Sequence, residues 1–127
     1  MVIRWWLDTR GLAGLSDHRQ WAKLLFMVQA IIVAAGQGKR MSSSGVDKLF
    51  LSVAGKPLIA HTWEKFERAA CIDSLVLVAR ESNHQKLHNL AAEFGFRKPY
   101  KIVSGGAERQ DSVWNGLQAL DPNCQIV

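Results

Sequence analysis

The hydrophobic residues of this chain fall into two alternating patterns. The first consists of short, nearly unbroken apolar runs, which are typical of strands buried on both faces of a parallel sheet. The second consists of apolar residues repeated at helical spacing. The runs predict strands at residues 28–35, 74–79, 100–103 and 125–127. The periodic segments predict helices at residues 57–70, between 82 and 95, and at 109–120.

Strands that alternate with helices predict an α/β fold with a mostly parallel sheet and helices on both faces. Glycines follow the first predicted strand, at Gly36 and Gly38, and the third, at Gly105 and Gly106. Because the carboxyl ends of parallel strands meet at one edge of a sheet, we expect both glycine turns to face one crevice. The chain stops as its fourth strand begins, so we expect the sheet to be incomplete at the carboxyl end.

Short-range signals refine these elements. Ser82 and Gln85 fit a capping box at the start of the second helix, and Gly95 suits its end. Pro57 suits the first position of the first helix. Before it, residues 47–53 predict a short extended segment that leads into a turn.

The turn after the first strand has the chemistry of a phosphate-binding loop. Glycines leave no side chain between the backbone N–H groups and an anion, and the adjacent Lys39 and Arg40 add full positive charges. A dinucleotide fingerprint would need glycine where Met41 stands, and a P-loop would need Ser or Thr where Arg40 stands. The loop therefore belongs to neither common class. A plain strand-to-loop turn with exposed cations is the alternative.

The first 27 residues differ from the rest of the chain. Their apolar residues follow no sustained period, and they lack both the apolar block of a secretory signal and the acid-poor composition of a transit peptide. We predict that residues 1–27 are an N-terminal extension, either a disordered tail or a translated segment upstream of a start at Met27. We expect residues 28–127 to form the folded domain.

Composition narrows the class of partner. The formal net charge is +5, and the excess gathers near the glycine loop, which suits a small anionic substrate better than a nucleic acid. No apolar run approaches the ~18 residues of a transmembrane helix, so we expect no membrane partner. Cys71 and Cys124 lack metal-ligand spacing and predict reduced, buried thiols in a reducing compartment such as the cytoplasm.

Four sequence blocks together are specific enough to indicate a family. They are Ala34-Ala35-Gly36-Gln37-Gly38-Lys39-Arg40-Met41, Lys48-Leu49-Phe50-Leu51, Gly55-Lys56-Pro57-Leu58-Ile59 and Gly105-Gly106-Ala107-Glu108-Arg109-Gln110-Asp111-Ser112-Val113. In this order they resemble the N-terminal part of the 2-C-methyl-D-erythritol 4-phosphate cytidylyltransferase family. The resemblance covers about residues 28–127. It implies a Rossmann-like, GT-A-like nucleotidyltransferase fold.

The resemblance also implies a reaction, in which CMP passes from CTP to 2-C-methyl-D-erythritol 4-phosphate, pyrophosphate leaves, and Mg²⁺ assists. It implies Arg40 and Lys48 as the catalytic cations that stabilise charge at the α-phosphate. The implied CTP ligands are Ala34, Ala35, Gly36, Gly38, Lys39, Gly105, Gly106 and Ser112. The family's metal ligand, acceptor site and homodimer arm fall past Val127. We therefore expect no metal ligand within this chain, poor CTP binding and no turnover by the chain alone.

The chain departs from the family's pattern and leaves alternatives open. Asp47 replaces a proline before Lys48, and we expect its carboxylate to weaken the positive field at the phosphate. The function could instead be that of a ribitol-5-phosphate cytidylyltransferase or of a non-catalytic nucleotide-binding remnant. Among single residues, Lys39 could be a solvated neighbour, Asp111 a helix-start residue favoured by the dipole, and Ser112 a helix cap.

Overall fold

The computed structural model describes residues 26–36 and 47–127. The strands are β1 Met27–Val33, β2 Ser52–Val53, β3 Lys56–Pro57, β4 Ser74–Ala79, β5 Tyr100–Ser104 and β6 Cys124–Ile126. The helices are α1 Leu58–Arg68, α2 His84–Phe94 and α3 Arg109–Gln118, with short 3-10 turns at Lys48–Phe50 and Glu81–Asn83. Residues 1–25 lie outside the described part, so the N-terminal extension at 1–27 stays a prediction, although Met27 already belongs to β1.

The main sheet has four strands in the order β5-β4-β1-β6, and every neighbouring pair runs parallel. All six residues of β4 are buried, because strands flank it and helices lie over its faces. We expected β1 to be buried equally, but only Gln29 and Ile32 reach that level. β6 is short and pairs only with Met27 and Val28, so in the described residues the rest of β1 has a strand neighbour only in β4. The predicted parallel sheet is confirmed.

Helices cover both faces of this sheet, as the alternation of patterns predicted. On one face Ile32, Leu75 and Leu77 belong to a core completed by α1 and α2, whose buried members are Ile59, Ala60, Trp63, Leu87, Leu90 and Ala91. On the other face α3 lies against the sheet at Gly116, where an added Cβ would stand 2.7 Å from Ile31 Cγ2. Each large apolar side chain buried in this way stabilises the fold by about 1.5–3 kcal/mol.

Gln29 interrupts the apolar run of β1 and is nevertheless buried, with 3% of its surface exposed. Its Nε2 donates to Ser74 Oγ at 2.5 Å, and its Oε1 accepts from the backbone N–H of Asp121 at 2.6 Å. The buried amide therefore has a partner on β4 and another in the turn that precedes β6. One side chain connects three neighbouring parts of the sheet.

The segment between β1 and α1 differs from the extended strand expected at 47–53. Its first half is the 3-10 turn, because the side chain of Asp47 accepts a hydrogen bond from the N–H of Leu49 and stabilises a turn in place of a strand. β2 and β3 then form an antiparallel hairpin. Ala54 and Gly55 connect them at φ 48° and 81°, as the positive φ values of a type I′ turn require. The predicted turn is confirmed.

The helix boundaries differ from the predictions by a few residues. Pro57 is the last residue of β3, so α1 begins one residue later, at Leu58. Ser82 lies inside the 3-10 turn and α2 begins after Asn83 without a side-chain cap, so the capping box predicted at Ser82 and Gln85 is wrong. Gly95 ends α2 at φ 67°, as predicted.

The direction in which the chain adds strands reverses at β1. From β1 the chain proceeds to β4 and then β5 on one side, and it returns to β6 on the other side. A reversal of this kind opens a crevice at the carboxyl ends of the strands, where α/β proteins bind ligands. The turns after β1 and β5 both leave the sheet at this end, as expected.

Two further expectations concern the cysteines and the membrane. Cys71 and Cys124 are both free thiols, but Cys71 is exposed and Cys124 only partly buried, so the expectation of buried thiols is wrong. Both lie in loops or at the edge strand, away from the core. Within residues 26–36 and 47–127, no helix has the length and apolar character needed to span a membrane.

Candidate functional site

A cavity of about 290 Å³ opens at the carboxyl ends of β1, β4 and β5. Its wall is formed by the turns that follow these strands and by the start of α3. The lining residues are Val33, Ala35, Gly36, Arg80, Gly105, Gly106, Ala107, Glu108, Arg109 and Ser112. The two glycine turns that the sequence placed at one crevice therefore do lie together.

Backbone contacts hold the turns after β1 and β5 against β4. The N–H of Ala34 donates to Val78 O at 2.7 Å, and the N–H of Gly105 donates to Ala79 O at 2.9 Å. Gly105 then passes so close to Ala35 that a Cβ added at Gly105 would overlap Ala35 Cβ. The absence of a side chain at Gly105 thus brings two strand ends, separated by β4, into contact.

The second glycine turn is joined to the start of α3 by Ser112, which is 3% exposed. Ser112 Oγ accepts from the N–H of Gly106 and donates to Glu108 O, both at 3.1 Å. Asp111 Oδ2 accepts from the N–H of Glu108 at 2.9 Å, so Asp111 does stabilise the helix start. Ser112 lines the cavity and also completes the turn. Its contact with a ligand stays a prediction.

Arg80 lines the cavity and was not singled out from the sequence. It follows β4 directly, and its Nη2 donates to the carbonyl oxygen of Gly36 at 3.0 Å. Its Nε is buried and has no hydrogen-bond partner among the described residues. The same rule that drew attention to the glycine turns, a position just after a buried strand, would have found it.

The 3-10 turn that carries Lys48 lies outside the residues that line the cavity. The carboxylate of the preceding Asp47 accepts one hydrogen bond from the N–H of Leu49 at 3.1 Å and another from Asn83 Nδ2 at 2.6 Å. Among the ion pairs of the described residues, none joins Asp47 to Lys48. The Asp47 carboxylate is thus bonded both to its own turn and to the 3-10 turn Glu81–Asn83 that precedes α2.

The remaining predicted site residues lie outside the part of the chain that the structure describes. These are Gly38, Lys39 and Arg40. Of the predicted CTP ligands that it does describe, Ala35, Gly36, Gly105, Gly106 and Ser112 line the cavity. Ala34 is held beside them by its bond to β4.

Acidic side chains do not converge at this site. In the described ranges, no group of three His, Cys, Asp or Glu side chains is arranged to hold a metal ion. The perturbed carboxyl lies elsewhere, beside the β2–β3 hairpin. A hydrogen bond from Lys56, with Nζ 2.6 Å from Glu64 Oε2, holds the pKa of Glu64 below its usual value of 4.5. Among the described residues, the cavity is lined by two cations, Arg80 and Arg109, and by one carboxylate, Glu108. Two cations beside a glycine backbone suit an anionic ligand.

Comparison with known proteins agrees with this geometry. The family model described as "IspD: 2-C-methyl-D-erythritol 4-phosphate cytidylyltransferase" matches residues 28–127. A relative of that name from Clostridium botulinum (strain 657 / Type Ba4) is 46% identical over 97 residues, which are 76% of this chain and 42% of the relative. Another, from Dehalococcoides mccartyi (strain CBDB1), is 48% identical over 93 residues, 73% of this chain and 40% of the relative.

Solved structures are similar over the same region. The 4-diphosphocytidyl-2C-methyl-D-erythritol synthase from Anaerococcus prevotii has a TM-score of 0.65 and 27% identity over 78% of this chain and 40% of that one. The inositol-1-phosphate CTP transferase from T. maritima, at TM-score 0.58 and 19% identity, shares the fold over 75% of this chain. This chain spans about two fifths of the length of the curated relatives it matches. It belongs to the 2-C-methyl-D-erythritol 4-phosphate cytidylyltransferase family.

Proposed function

We propose that this chain provides the CTP-binding part of a cytidylyltransferase that transfers CMP from CTP to 2-C-methyl-D-erythritol 4-phosphate. The observation that supports this most directly is the cavity in which Gly36 of the first glycine turn meets Gly105 and Gly106 of the second. Glycines at such a place suit a nucleotide, because the ligand can approach the backbone with no side chain in between. The N–H groups of Gly105 and Gly106 are bonded to Ala79 O and Ser112 Oγ, so we assign these two glycines close approach to the ligand and not hydrogen bonds to it.

In the proposed reaction a phosphate oxygen of the acceptor attacks the α-phosphorus of CTP. A new oxygen–phosphorus bond forms, the bond between the α-phosphorus and the bridging oxygen breaks, and pyrophosphate leaves. Chemistry of this kind needs mainly positioning and neutralisation of the charge that develops on the phosphoryl oxygens. We assign that neutralisation to Arg40 and Lys48.

The CTP ligands divide between the two turns. We assign the triphosphate to the first turn, with Ala34, Ala35, Gly36, Gly38 and Lys39. We assign the cytosine and ribose to Gly105 and Gly106, through close backbone approach, and to the hydroxyl of Ser112. We propose that the reaction also uses Mg²⁺. The described residues do not offer a metal site, so we assign its ligands to the part of the relatives' length that this chain does not match.

Several properties of the whole protein remain part of this proposal. We propose that it acts in the cytoplasm, forms homodimers, and has small-molecule partners in place of nucleic acid or a membrane. We also propose that the extension predicted at residues 1–27, apart from Met27 of β1, precedes the domain and takes no part in catalysis. A native mass measurement on the purified full-length protein would test the homodimer.

Nucleotide specificity gives the first test. We expect NMR titration of the 127-residue chain to show weak CTP binding and about tenfold weaker GTP binding, because a pocket built to hydrogen-bond one base leaves polar groups unpaired with another. Equal affinities for CTP and GTP would contradict the proposal.

The second test measures turnover by a chimeric protein. In it, residues 28–127 of this chain replace the matching part of the C. botulinum relative. Pyrophosphate release is measured with 2-C-methyl-D-erythritol 4-phosphate and with ribitol 5-phosphate. We expect Lys48→Ala to lower kcat by about 10²–10³-fold, as loss of one charge-stabilising donor does. Lys65→Ala, an exposed lysine on α1, is the matched control and should leave kcat unchanged.

The acceptor is the part of the proposal with a serious rival. The T. maritima structure with the same fold is titled as an inositol-1-phosphate CTP transferase, so the fold alone is compatible with more than one polyol phosphate. The run Arg109-Gln110-Asp111-Ser112-Val113 favours the methylerythritol substrate. Faster turnover with ribitol 5-phosphate would reverse that assignment, and CTP binding without turnover on either acceptor would indicate a non-catalytic remnant.

A further inference from the structure

Residues 80–83, here called the corner segment, connect β4 to α2. The segment starts at the carboxyl end of the fully buried strand β4. Its backbone closes on itself, because the N–H of Asn83 donates to Arg80 O at 2.9 Å. Since β4 is the most buried strand of the sheet, the corner segment is a fixed point close to the cavity.

Arg80 connects the corner segment to the end of the β1 turn. Its guanidinium donates to the carbonyl oxygen of Gly36 at 3.0 Å. Gly36 has no side chain, so the rest of the protein can hold it by hydrogen bonds only through its backbone groups, and Arg80 uses the carbonyl. A charged donor makes this bond stronger than one between neutral groups.

Asn83 connects the same segment to the turn that carries Lys48. Its side chain is buried, at 4% exposure, and its Nδ2 donates to Asp47 Oδ2 at 2.6 Å. The other oxygen of Asp47 accepts from the N–H of Leu49 at 3.1 Å. Lys48 stands between the two bonded residues, so the buried amide fixes the backbone on which Lys48 is carried.

Other contacts complete this support. The N–H of Leu58 donates to Leu51 O at 2.9 Å, which joins the end of the turn to α1. Lys86 Nζ of α2 lies 5.4 Å from the centre of the Phe50 ring, within cation–π range. The turn that carries Lys48 therefore contacts α1, α2 and the corner segment. The buried polar contact among the three is the one made by Asn83 of the corner segment.

We propose that Arg80 and Asn83 are positioning residues: Arg80 holds Gly36 of the first glycine turn at a fixed place relative to β4, and Asn83 holds Asp47 and thereby sets the position of Lys48. The inference rests on the proposed role of Lys48 at the CTP phosphates. Neither side chain needs to touch the nucleotide. A misplacement of about 1 Å at a catalytic group is enough to cost ~10²-fold in rate. Small shifts of Asp47 and Leu49, on either side of Lys48, would therefore lower activity.

The test is the CTP dissociation constant of the 127-residue chain, measured by NMR titration on four variants. We expect Asn83→Ala to raise the constant by about tenfold, because a displacement of about 1 Å at a functional group costs up to ~10²-fold. Arg80→Met should raise it as well, but this change also removes a cation from the cavity wall, so Asn83→Ala decides the test. Asp47→Asn combined with Asn83→Asp exchanges donor and acceptor at constant net charge and should restore affinity. Asn89→Ala, an exposed asparagine on α2 bonded to Gln85, is the matched control.

The outcomes separate this inference from the proposed function. Failure of the unaltered chain to bind CTP contradicts the proposed function. Binding by the unaltered chain, with Asn83→Ala as tight as Asn89→Ala, overturns the inference alone. Failure of the exchanged pair to recover affinity also overturns it. The loss in Asn83→Ala would then come from general damage to the fold and not from loss of the hydrogen bond between Asn83 and Asp47. Urea unfolding midpoints of all variants identify any that fail to fold.

Discussion

Replacing Gly105 by alanine tests whether close contact between the two glycine turns holds the cavity together. An added Cβ would overlap Ala35 Cβ and would stand 2.9 Å from Ser112 Oγ. Ala35 Cβ is attached directly to the backbone and cannot rotate away, as the end of a long side chain could. The turn after β1 must therefore move, or β5 must.

The expected cost follows from that rigidity. Overpacking a well-packed site costs about 1–3 kcal/mol, and overlap with a backbone-attached atom places Gly105→Ala at the upper end, about 2–3 kcal/mol. Urea unfolding followed by circular dichroism measures it as a lower midpoint with unchanged slope. The variant should also bind CTP more weakly, because the cavity wall has moved.

Two further variants, Gly36→Ala and Ala35→Gly, are the controls for Gly105→Ala. An added Cβ at Gly36, in the same cavity, would have nothing within 4 Å, so Gly36→Ala should change the free energy of unfolding by less than about 0.5 kcal/mol. Ala35→Gly removes the overlapping atom and should recover most of the loss when combined with Gly105→Ala. A loss below about 0.5 kcal/mol for Gly105→Ala, or no recovery in the double variant, would refute the contact.

Three further predictions concern stability away from the cavity. Trp63 is completely buried and stacks on Phe96 at 5.0 Å, so Trp63→Ala should cost about 3–5 kcal/mol in urea unfolding, and a cost under ~1 kcal/mol would contradict its place in the core. Gly95 has φ +67° with open space around it, so Gly95→Ala should cost only the left-handed strain, about 1–2 kcal/mol; no loss of thermal stability would refute this. The pKa of Glu64 is lowered, chiefly by Lys56, so the stability contributed by this pair should be present above pH 4.5 and be lost as pH falls below it. The difference in melting temperature between the unaltered chain and Lys56→Met should therefore shrink toward acid pH, and a constant difference would argue against the pair.

The strands of the main sheet and the helices were predictable because apolar residues recur in them as short runs or at helical spacing. β4 is the clearest case, since its six residues are all buried and all read as one short run. The start of α2 was not predictable in the same way. Ser82 and Gln85 satisfy the local rule for a capping box, but Glu81–Asn83 forms a 3-10 turn that puts Ser82 outside the helix. Tertiary contact of Asn83 with Asp47 competes with the local signal.

The parts of the site formed by backbone turns at strand ends were predictable from the sequence. The parts formed by side chains that bond to residues far away in the sequence were not. Glycine turns at strand ends identify Gly36, Gly105 and Gly106 as neighbours, because parallel strands end at one edge. Arg80 follows a buried strand, and that position could have marked it as a site residue. Its hydrogen bond to Gly36, 44 positions away, has no local signature. Asp47 was expected to oppose Lys48 electrostatically. Its hydrogen bond to a residue 36 positions away is a property of the fold and has no local signature.

Gln29 has a consequence for how the sheet assembles. In parallel pairing, a slip of two residues keeps every side chain on its proper face, so an apolar run such as β1 would pair almost equally well in either alignment. The slip would separate the Gln29 amide from Ser74 Oγ and from the Asp121 N–H. Each buried polar group left without a partner costs about 1–3 kcal/mol. The single polar interruption in the strand thus acts against misaligned folding and selects one pairing among alternatives that hydrophobicity alone would not distinguish.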